Sequence, residues 1–461
     1  MTIAKDTPAI RQVSFNTLGC KLNQAETDAI ATLFRRRGWQ VVPFRQESDL
    51  TVINTCTVTG EADAKSRQAI RQAIRRAART SPQGKVVVAG CYSQIRPEEA
   101  ASFEGVDLVL GTREKWRILD LLEQIEGNGP DLPLIHVGNI GVAETYDEAP
   151  LVSAPIPSGC RTGRTRAFLK VQEGCDYHCS YCIVPAARGL GRSRPLESCL
   201  EEVCRLVAEG YREVVLTGVN IGTWQEKGLR FNDLLAAMSR VDGLRRIRVS
   251  SIEPNLLTDE IIRLVAEREN IAPHFHVPLQ HASDRVLKAM RRRYCIADYR
   301  AVLERIVTAI PDAAIGADVM VGFPGETEKD FRQLAGTLTD LPLTYHHIFR
   351  YSERSSTAAS HIIGAVDPVV RKERSAVLRE ISRQRRRQVA RRSIGQTRQV
   401  HFERPDGNGS WEGLTDNYLR VKVPVPMALD DPFQPVQLTG YGNSALLGRL
   451  SRPAGIPEGA S

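Results

Sequence analysis

Short strand-like runs alternate with helix-length segments along most of this chain, and that order restricts the fold more than any other feature. VSFNT (13–17), LTVINT (50–55) and KVVVA (85–89) have strand character. Between the first two, Asn23 with Glu26 three residues later resembles a capping box, opening a helix that ends near Gly38. Residues 61–79 place apolar side chains at helical spacing. Strands separated by helices pair in parallel, with the helices covering the sheet, so the expected class is α/β.

The alternation resumes from 167 to about 355. AFLKVQ (167–172), EVVLTGV (213–219), RIRVSS (246–251), HFHVPLQ (274–280), AIGADVMVG (314–322) and YHHIFRY (345–351) read as strands. Residues 197–209, 231–241, 257–267, 284–293, 297–309 and 328–340 suit helices. Six such units can form an open partial (β/α)6 barrel, whose sites lie at the carboxyl ends of the strands.

Residues 125–166 read as a connector rich in Pro, Gly and Ser, with a short strand near LPLIHVG. Residues 371–392 hold ten basic and two acidic residues, a helix running into a basic linker. From 393 to 453, short apolar runs (TRQVHFE, YLRVKVPV, PVQLTGYG, ALLGRL) separated by turn residues suggest a small β-barrel. The last ten residues read as a loose tail.

With 42% hydrophobic residues the chain has ample apolar surface to bury, which excludes a disordered protein. No apolar run reaches membrane-spanning length. The first ten residues lack a basic start followed by an apolar stretch, so no secretory signal and a cytoplasmic location are expected. A net charge of +8 permits a polyanionic partner without requiring one.

The ten cysteines matter more than their number. Cys20, Cys56 and Cys91 each follow one of the first three strands, so a parallel sheet brings them to one edge. They are either three small buried thiols or a ligand set, and their recurrence in successive units favours the ligand set. Cys175, Cys179 and Cys182 form a C-x3-C-x2-C loop just after a strand. Three thiolates can hold one corner each of a cubane iron–sulfur cluster and leave the fourth iron open, as a catalytic metal needs. The competing reading is zinc, which prefers paired C-x2-C motifs and four ligands. His178 lies between two cysteines and is not taken as a ligand. Cys160, Cys199, Cys204 and Cys295 read as ordinary.

The loop from Glu173 to Cys182, with an aromatic residue before its last Cys, resembles the radical S-adenosylmethionine superfamily. TLGCKLNQAETD (17–28), INTCTVTGEADAKSRQ (53–68) and VVAGCYSQ (87–94) resemble the N-terminal domain of its methylthiotransferases. Region 393–453 resembles the TRAM domain, a small barrel associated with RNA, and Ala186-Ala187-Arg188-Gly189 resembles the family's loop after the cluster motif.

This resemblance implies an N-terminal Rossmann-like three-layer domain over 11–125, a linker over 126–160, a radical SAM domain with a partial TIM-like barrel over 161–392, and a TRAM barrel over 393–455. It implies two [4Fe-4S] clusters. Cys175, Cys179 and Cys182 would hold the radical-generating cluster, to which S-adenosyl-L-methionine binds. Cys20, Cys56 and Cys91 would hold an auxiliary cluster that carries the inserted sulfur. Three branches of the family act on isopentenyladenosine in tRNA, on a ribosomal-protein aspartate, and on N6-threonylcarbamoyladenosine at position 37 of tRNA. TLGCKLNQ and VINTCTVT are most similar to the third. The expected partners are tRNA and a flavodoxin- or ferredoxin-like reductant, with no membrane and a monomeric enzyme. A non-enzymatic alternative is an RNA-binding protein with structural zinc.

Tyr181, Gly218, Ser251, Glu253, Gln280 and Asp318, beside or in barrel strands, are the expected S-adenosylmethionine contacts. Gly322, Pro324 and Gly325 are explained equally by a turn. Arg67, Arg71 and Arg75 recur every four residues and can face phosphate, as can 371–392. Phe402, Trp411 and Tyr418 either stack on bases or fill the small barrel, core being expected for at least two.

Overall fold

The computed structural model describes residues 11–80, 84–127, 133–143, 145–146, 165–405, 409–424, 429, 431–442 and 444–451. Cys160 and the tail lie outside the described residues, as does most of the connector. The chain forms two compact units, Met1–Leu244 with Ser352–His361, and Arg245–Tyr351 with Ile362–Ser461.

In the first unit, β1 (Gln12–Thr17), β2 (Gln40–Val42), β3 (Leu50–Thr55), β4 (Lys85–Gly90), β5 (Leu108–Leu110) and β6 (Leu134–His136) form one sheet in the order 2-1-3-4-5-6. Every neighbouring pair is parallel. Period-two alternation sends the side chains of β4 to opposite faces. Val87 and Ala89 pack with Ile30 and Phe34 of α1 (Lys21–Arg36) and with Leu121. Val86 and Val88 pack with Ile70 and Ala73 of α2 (Gly60–Thr80) on the other face. The result is the three-layer α/β arrangement expected.

Three details depart from the sequence reading. α1 begins at Lys21, with Cys20 as its N-cap and no side-chain cap bond, so Asn23 and Glu26 do not form a capping box. Both are fully buried and serve other partners described below. The short strand in the connector joins the sheet as β6, because Leu108–Leu110 offers it a free parallel edge. β2, β5 and the helix Ile118–Gly127 had no separate sequence signal.

The first unit also carries Arg166–Lys170 and Glu213–Thr217, paired in parallel and linked by the helix Leu196–Ala208. In the second unit, His274–His276, Ala314–Val321 and Tyr345–Arg350 pair in parallel. Arg246–Val249 precedes them, and the parallel bridges Ile247–Ile271 and Ser251–His276 continue that progression. All six expected barrel strands are present, each followed by its helix or turn.

The basic run is not a linker: the helix Pro368–Ser393 spans all of it. It leads into a closed five-stranded barrel over Thr397–Leu450, with Val400, Phe402, Val421, Val436 and Leu446 at its centre. The strand Ser410–Thr415 was not anticipated; its alternation is weak because Gly413 takes an inward place.

His346 lies between Tyr345–Arg350 and the long basic helix. Its backbone N–H donates to Ser382 Oγ at 3.0 Å, and that hydroxyl donates back to its carbonyl at 3.1 Å. Burial, with Arg385 and Arg386 nearby, pulls its imidazole from 6.5 down to about 4. As pH falls the unfolded chain therefore takes up this proton first, so folding loses stability between those two values. His346→Leu is expected to lose less melting temperature than the parent between about pH 7.5 and about pH 5. Equal losses in thermal unfolding would assign the slope to another group.

Candidate cluster and cofactor site

Register explains how the first three cysteines meet. Thr17 pairs with Asn54, and Thr55 with Gly90, so the carboxyl ends of β1, β3 and β4 are level. Cys20 lies just beyond β1, while Cys56 and Cys91 directly follow β3 and β4. Burial pushes the Cys56 thiol up to about 11, with further upward pressure from Cys91 and Cys20. Burial likewise raises Cys91, and Cys20 adds to it. The three thiols thus lie within electrostatic reach of one another. A metal binds thiolate, so any metal taken by this set would displace protons from buried sulfur.

Asn23 ties the loops of Cys20 and Cys56 together. Its Nδ2 donates to Leu18 O at 2.7 Å and to Thr55 O at 2.9 Å, and its Oδ1 lies 3.8 Å from Cys20 Sγ. A carboxamide, with two donors and an acceptor, meets this demand where a carboxylate does not.

The C-x3-C-x2-C loop is equally constrained. Cys175 N–H donates to Gly189 O, and Cys182 N–H to Cys179 O, both at 3.0 Å. Tyr177 N–H points at Cys175 Sγ at 3.3 Å. Gly174 has φ +70°, and a Cβ there would lie 1.8 Å from Leu190 O, so only glycine fits. Gln172 is buried; its amide donates to the carbonyls of Glu173 and Gly174, and its oxygen accepts from the N–H groups of Val219 and Asn220. It thereby fastens the cysteine loop to the turn that holds Gly218. A Cβ on Gly218 would lie 2.8 Å from Gln172 O, which gives that glycine a packing role. Tyr181 is half-buried in the same loop, and His178 is exposed.

A buried charge cluster joins the two cysteine regions, and the sequence reading missed it. Arg188 Nη1 and Nη2 donate to Glu26 Oε1 and Oε2 at 2.8 and 3.0 Å. Arg188 also reaches Glu173 Oε1 at 2.8 Å and Asn23 Oδ1 at 2.6 Å. Lys115 pairs with Glu26 at 2.6 Å, and Lys170 pairs with Glu173. Burial alone would raise the Glu26 carboxyl, but Arg188, Lys115 and Lys170 hold it well below the usual range. The available signal was charge in unlikely places: Lys170 inside an apolar strand and Glu173 beside the first motif cysteine.

Ser352–His361 reaches both loops. Arg354 pairs with Asp63 at 2.5 Å and donates to Thr57 O, next to Cys56. Ala359 N–H donates to Ser180 O, between Cys179 and Cys182, at 2.7 Å.

The other cofactor candidates belong to the second unit. Ser251 Oγ lies 2.7 Å from His276 Nδ1, and His276 Nε2 lies 3.3 Å from Asp318 Oδ1. His347 Nδ1 is 3.6 Å from the same oxygen. Glu253 pairs with Arg292, and its carboxyl is raised by burial. Gln280 has φ +61° and exchanges backbone hydrogen bonds with Asp318 and Met320. The structure therefore places Ser251 and Asp318 against His276, a residue the sequence reading did not single out, with Gln280 bonded to the Asp318 backbone.

The basic and aromatic candidates divide. Arg67 pairs with Glu99 at 3.5 Å, Arg71 covers Phe103, and Arg75 is exposed. Within the long helix Arg371 and Arg374 are buried, bonded to Val366 O, Tyr351 O and Glu326, so they are structural and do not face phosphate. Phe402 fills the barrel core and Trp411 packs against it. Tyr418 lies tilted against His274, ring centroids 4.5 Å apart, under Arg248.

Residues 169–338 match the Radical SAM superfamily, and residues 12–111 match the Uncharacterized protein family UPF0004. Threonylcarbamoyladenosine tRNA methylthiotransferase MtaB of Bacillus subtilis (strain 168) is 39% identical over 416 residues, 89% of each chain. This chain belongs to the radical SAM methylthiotransferase family, in its threonylcarbamoyladenosine branch. The same-named protein of Aquifex aeolicus (strain VF5) is 37% identical over 89% of this enzyme and 96% of its own length. Among solved structures, the radical S-adenosylmethionine methyltransferase TsrM from Kitasatospora setae, with cobalamin and a [4Fe-4S] cluster bound, aligns at TM-score 0.55. It is 17% identical and covers 76% of the enzyme and 77% of its own chain, a likeness of fold. Among the described residues no helix is long and apolar enough to cross a membrane.

Gly174→Ala drives a Cβ into the Leu190 carbonyl beside the cysteine loop. Iron and sulfide per chain after anaerobic reconstitution are expected to fall to the level of Cys175→Ala. Full loading of Gly174→Ala would contradict the assigned role of this loop geometry.

Proposed function

We propose that the enzyme methylthiolates C2 of N6-threonylcarbamoyladenosine at position 37 of tRNA. The observation that carries the reading is two sets of three cysteines in one compact unit, their loops fastened by shared partners. Cys175, Cys179 and Cys182 are the ligands of a radical-generating [4Fe-4S] cluster, and Cys20, Cys56 and Cys91 those of an auxiliary [4Fe-4S] cluster. Each trio fits such a group: three sulfur donors with backbone N–H or buried cationic neighbours. When bound, the first cluster supplies the electron that splits S-adenosyl-L-methionine to a 5′-deoxyadenosyl radical, and the second supplies sulfur. One S-adenosylmethionine serves as radical source and another as methyl donor.

The chain's own work is placement. The adenine C2 hydrogen is barely acidic, so acid–base groups give little leverage there and positioning dominates. Gln172 holds the cysteine loop against the Gly218 turn, setting where a cofactor can lie. Tyr181, Gly218, Ser251, Glu253, Gln280 and Asp318 are the proposed S-adenosylmethionine contacts. Residues 11–125, 161–392 and 393–455 are the proposed methylthiotransferase, radical SAM and TRAM domains, with 126–160 as the linker. A flavodoxin- or ferredoxin-like reductant, a monomeric state and a cytoplasmic location complete the reading.

Nucleosides from total tRNA of a deletion strain test it by mass spectrometry. Complementation with the parent gene restores 2-methylthio-N6-threonylcarbamoyladenosine. Cys175→Ala and Cys91→Ala each leave N6-threonylcarbamoyladenosine unmodified at C2. Persistence of the methylthio nucleoside with either variant would overturn the assignment.

A further inference from the structure

The charge cluster beside Cys20, Cys56 and Cys91 does not balance. At their ordinary charges Arg188, Lys115 and Lys170 are positive and Glu26 and Glu173 negative, although burial pulls the Lys115 ammonium down while Glu26 holds it up, and all five side chains are at most 4% exposed. Three cations against two anions leave one surplus buried positive charge among these five. Arg192, 1% exposed and 3.9 Å from Glu173, adds to the excess. A buried charge without a counter-ion is costly, so a fold that keeps one has something anionic to place against it.

The neighbouring thiols are that place. Arg188 lies on the helix Val184–Arg188, which packs against the helix opened by Cys91. Its charge acts on both Cys91 and Cys56, and Lys115 acts on Cys91. Through Asn23 Oδ1, Arg188 is one side chain away from Cys20 Sγ. An anionic, thiolate-ligated cluster on the trio would give the surplus a partner.

We propose that Arg188 and Lys115 form a built-in counter-ion that lowers the energy of the negatively charged auxiliary cluster, and so sets its reduction potential and retention. They are positioning and tuning residues, not catalytic ones. The inference rests on the assignment of Cys20, Cys56 and Cys91 to a cluster. Reduction adds an electron to an already anionic group, so a nearby fixed cation favours the reduced form. Removing that cation must lower the potential.

The test uses the full chain carrying Cys175→Ala, Cys179→Ala and Cys182→Ala, so that one cluster remains, followed by EPR-monitored redox titration and iron and sulfide analysis. On this background Arg188→Met and Lys115→Met are each expected to shift the midpoint downward and to lose iron several-fold faster to a chelator. Arg188→Lys keeps the charge and is expected to restore most of both properties. Lys115→Met, on a separate element, decides the matter if Arg188→Met does not fold. A loaded cluster whose midpoint and chelation rate are unmoved by Lys115→Met and Arg188→Met would overturn the counter-ion role. A background protein with no iron or sulfide would instead overturn the cluster assignment beneath it.

Discussion

Five charged side chains buried in one place restrict everything around them. Glu26 comes from α1, Lys115 from the turn before Ile118, Lys170 and Glu173 from the strand leading to the motif loop, and Arg188 from the helix after it. Deleting one member of such a set leaves a partner charged and dry, a loss on the order of 3–5 kcal/mol. That is a large share of a domain's net stability of about 5–15 kcal/mol. The sheet edge carrying three cysteines and the loop carrying the other three are therefore held in one arrangement.

Strand ends do the remaining work. Parallel pairing levels the carboxyl ends of β1, β3 and β4, and residues spaced about 35 apart become neighbours. The same rule gathers Ser251, His276, Gln280 and Asp318 in the second unit. Glycine then allows approaches no other residue permits: Gly174 lets the cysteine loop lie on Leu190 O, and Gly218 lets the next turn lie on Gln172 O.

Much of this was legible in the sequence because it follows from periodicity and spacing. The six barrel strands, their helices and the cysteine motif are short-range patterns. What escaped was long-range. Asn23 and Glu26 carry a helix-start signature, yet α1 starts earlier and both side chains turn to partners 30 or more residues away. Arg371 and Arg374 look like part of a solvated basic face until the loops packed on them supply carbonyls and Glu326. Tyr418 looks like barrel core or a base-stacking residue, but its ring lies tilted against His274 beneath Arg248. β6 was visible as a short strand in the connector, but its place in the sheet comes from the edge offered by β5.

The central claim is that one chain holds two separate iron–sulfur clusters on its two cysteine trios. Anaerobic reconstitution with iron and sulfide counting tests it most directly. The account predicts about eight irons and eight sulfides in the parent, and about four of each when either trio is replaced by alanine. Loss of all iron on replacing one trio, or zinc without sulfide in the parent, would contradict it.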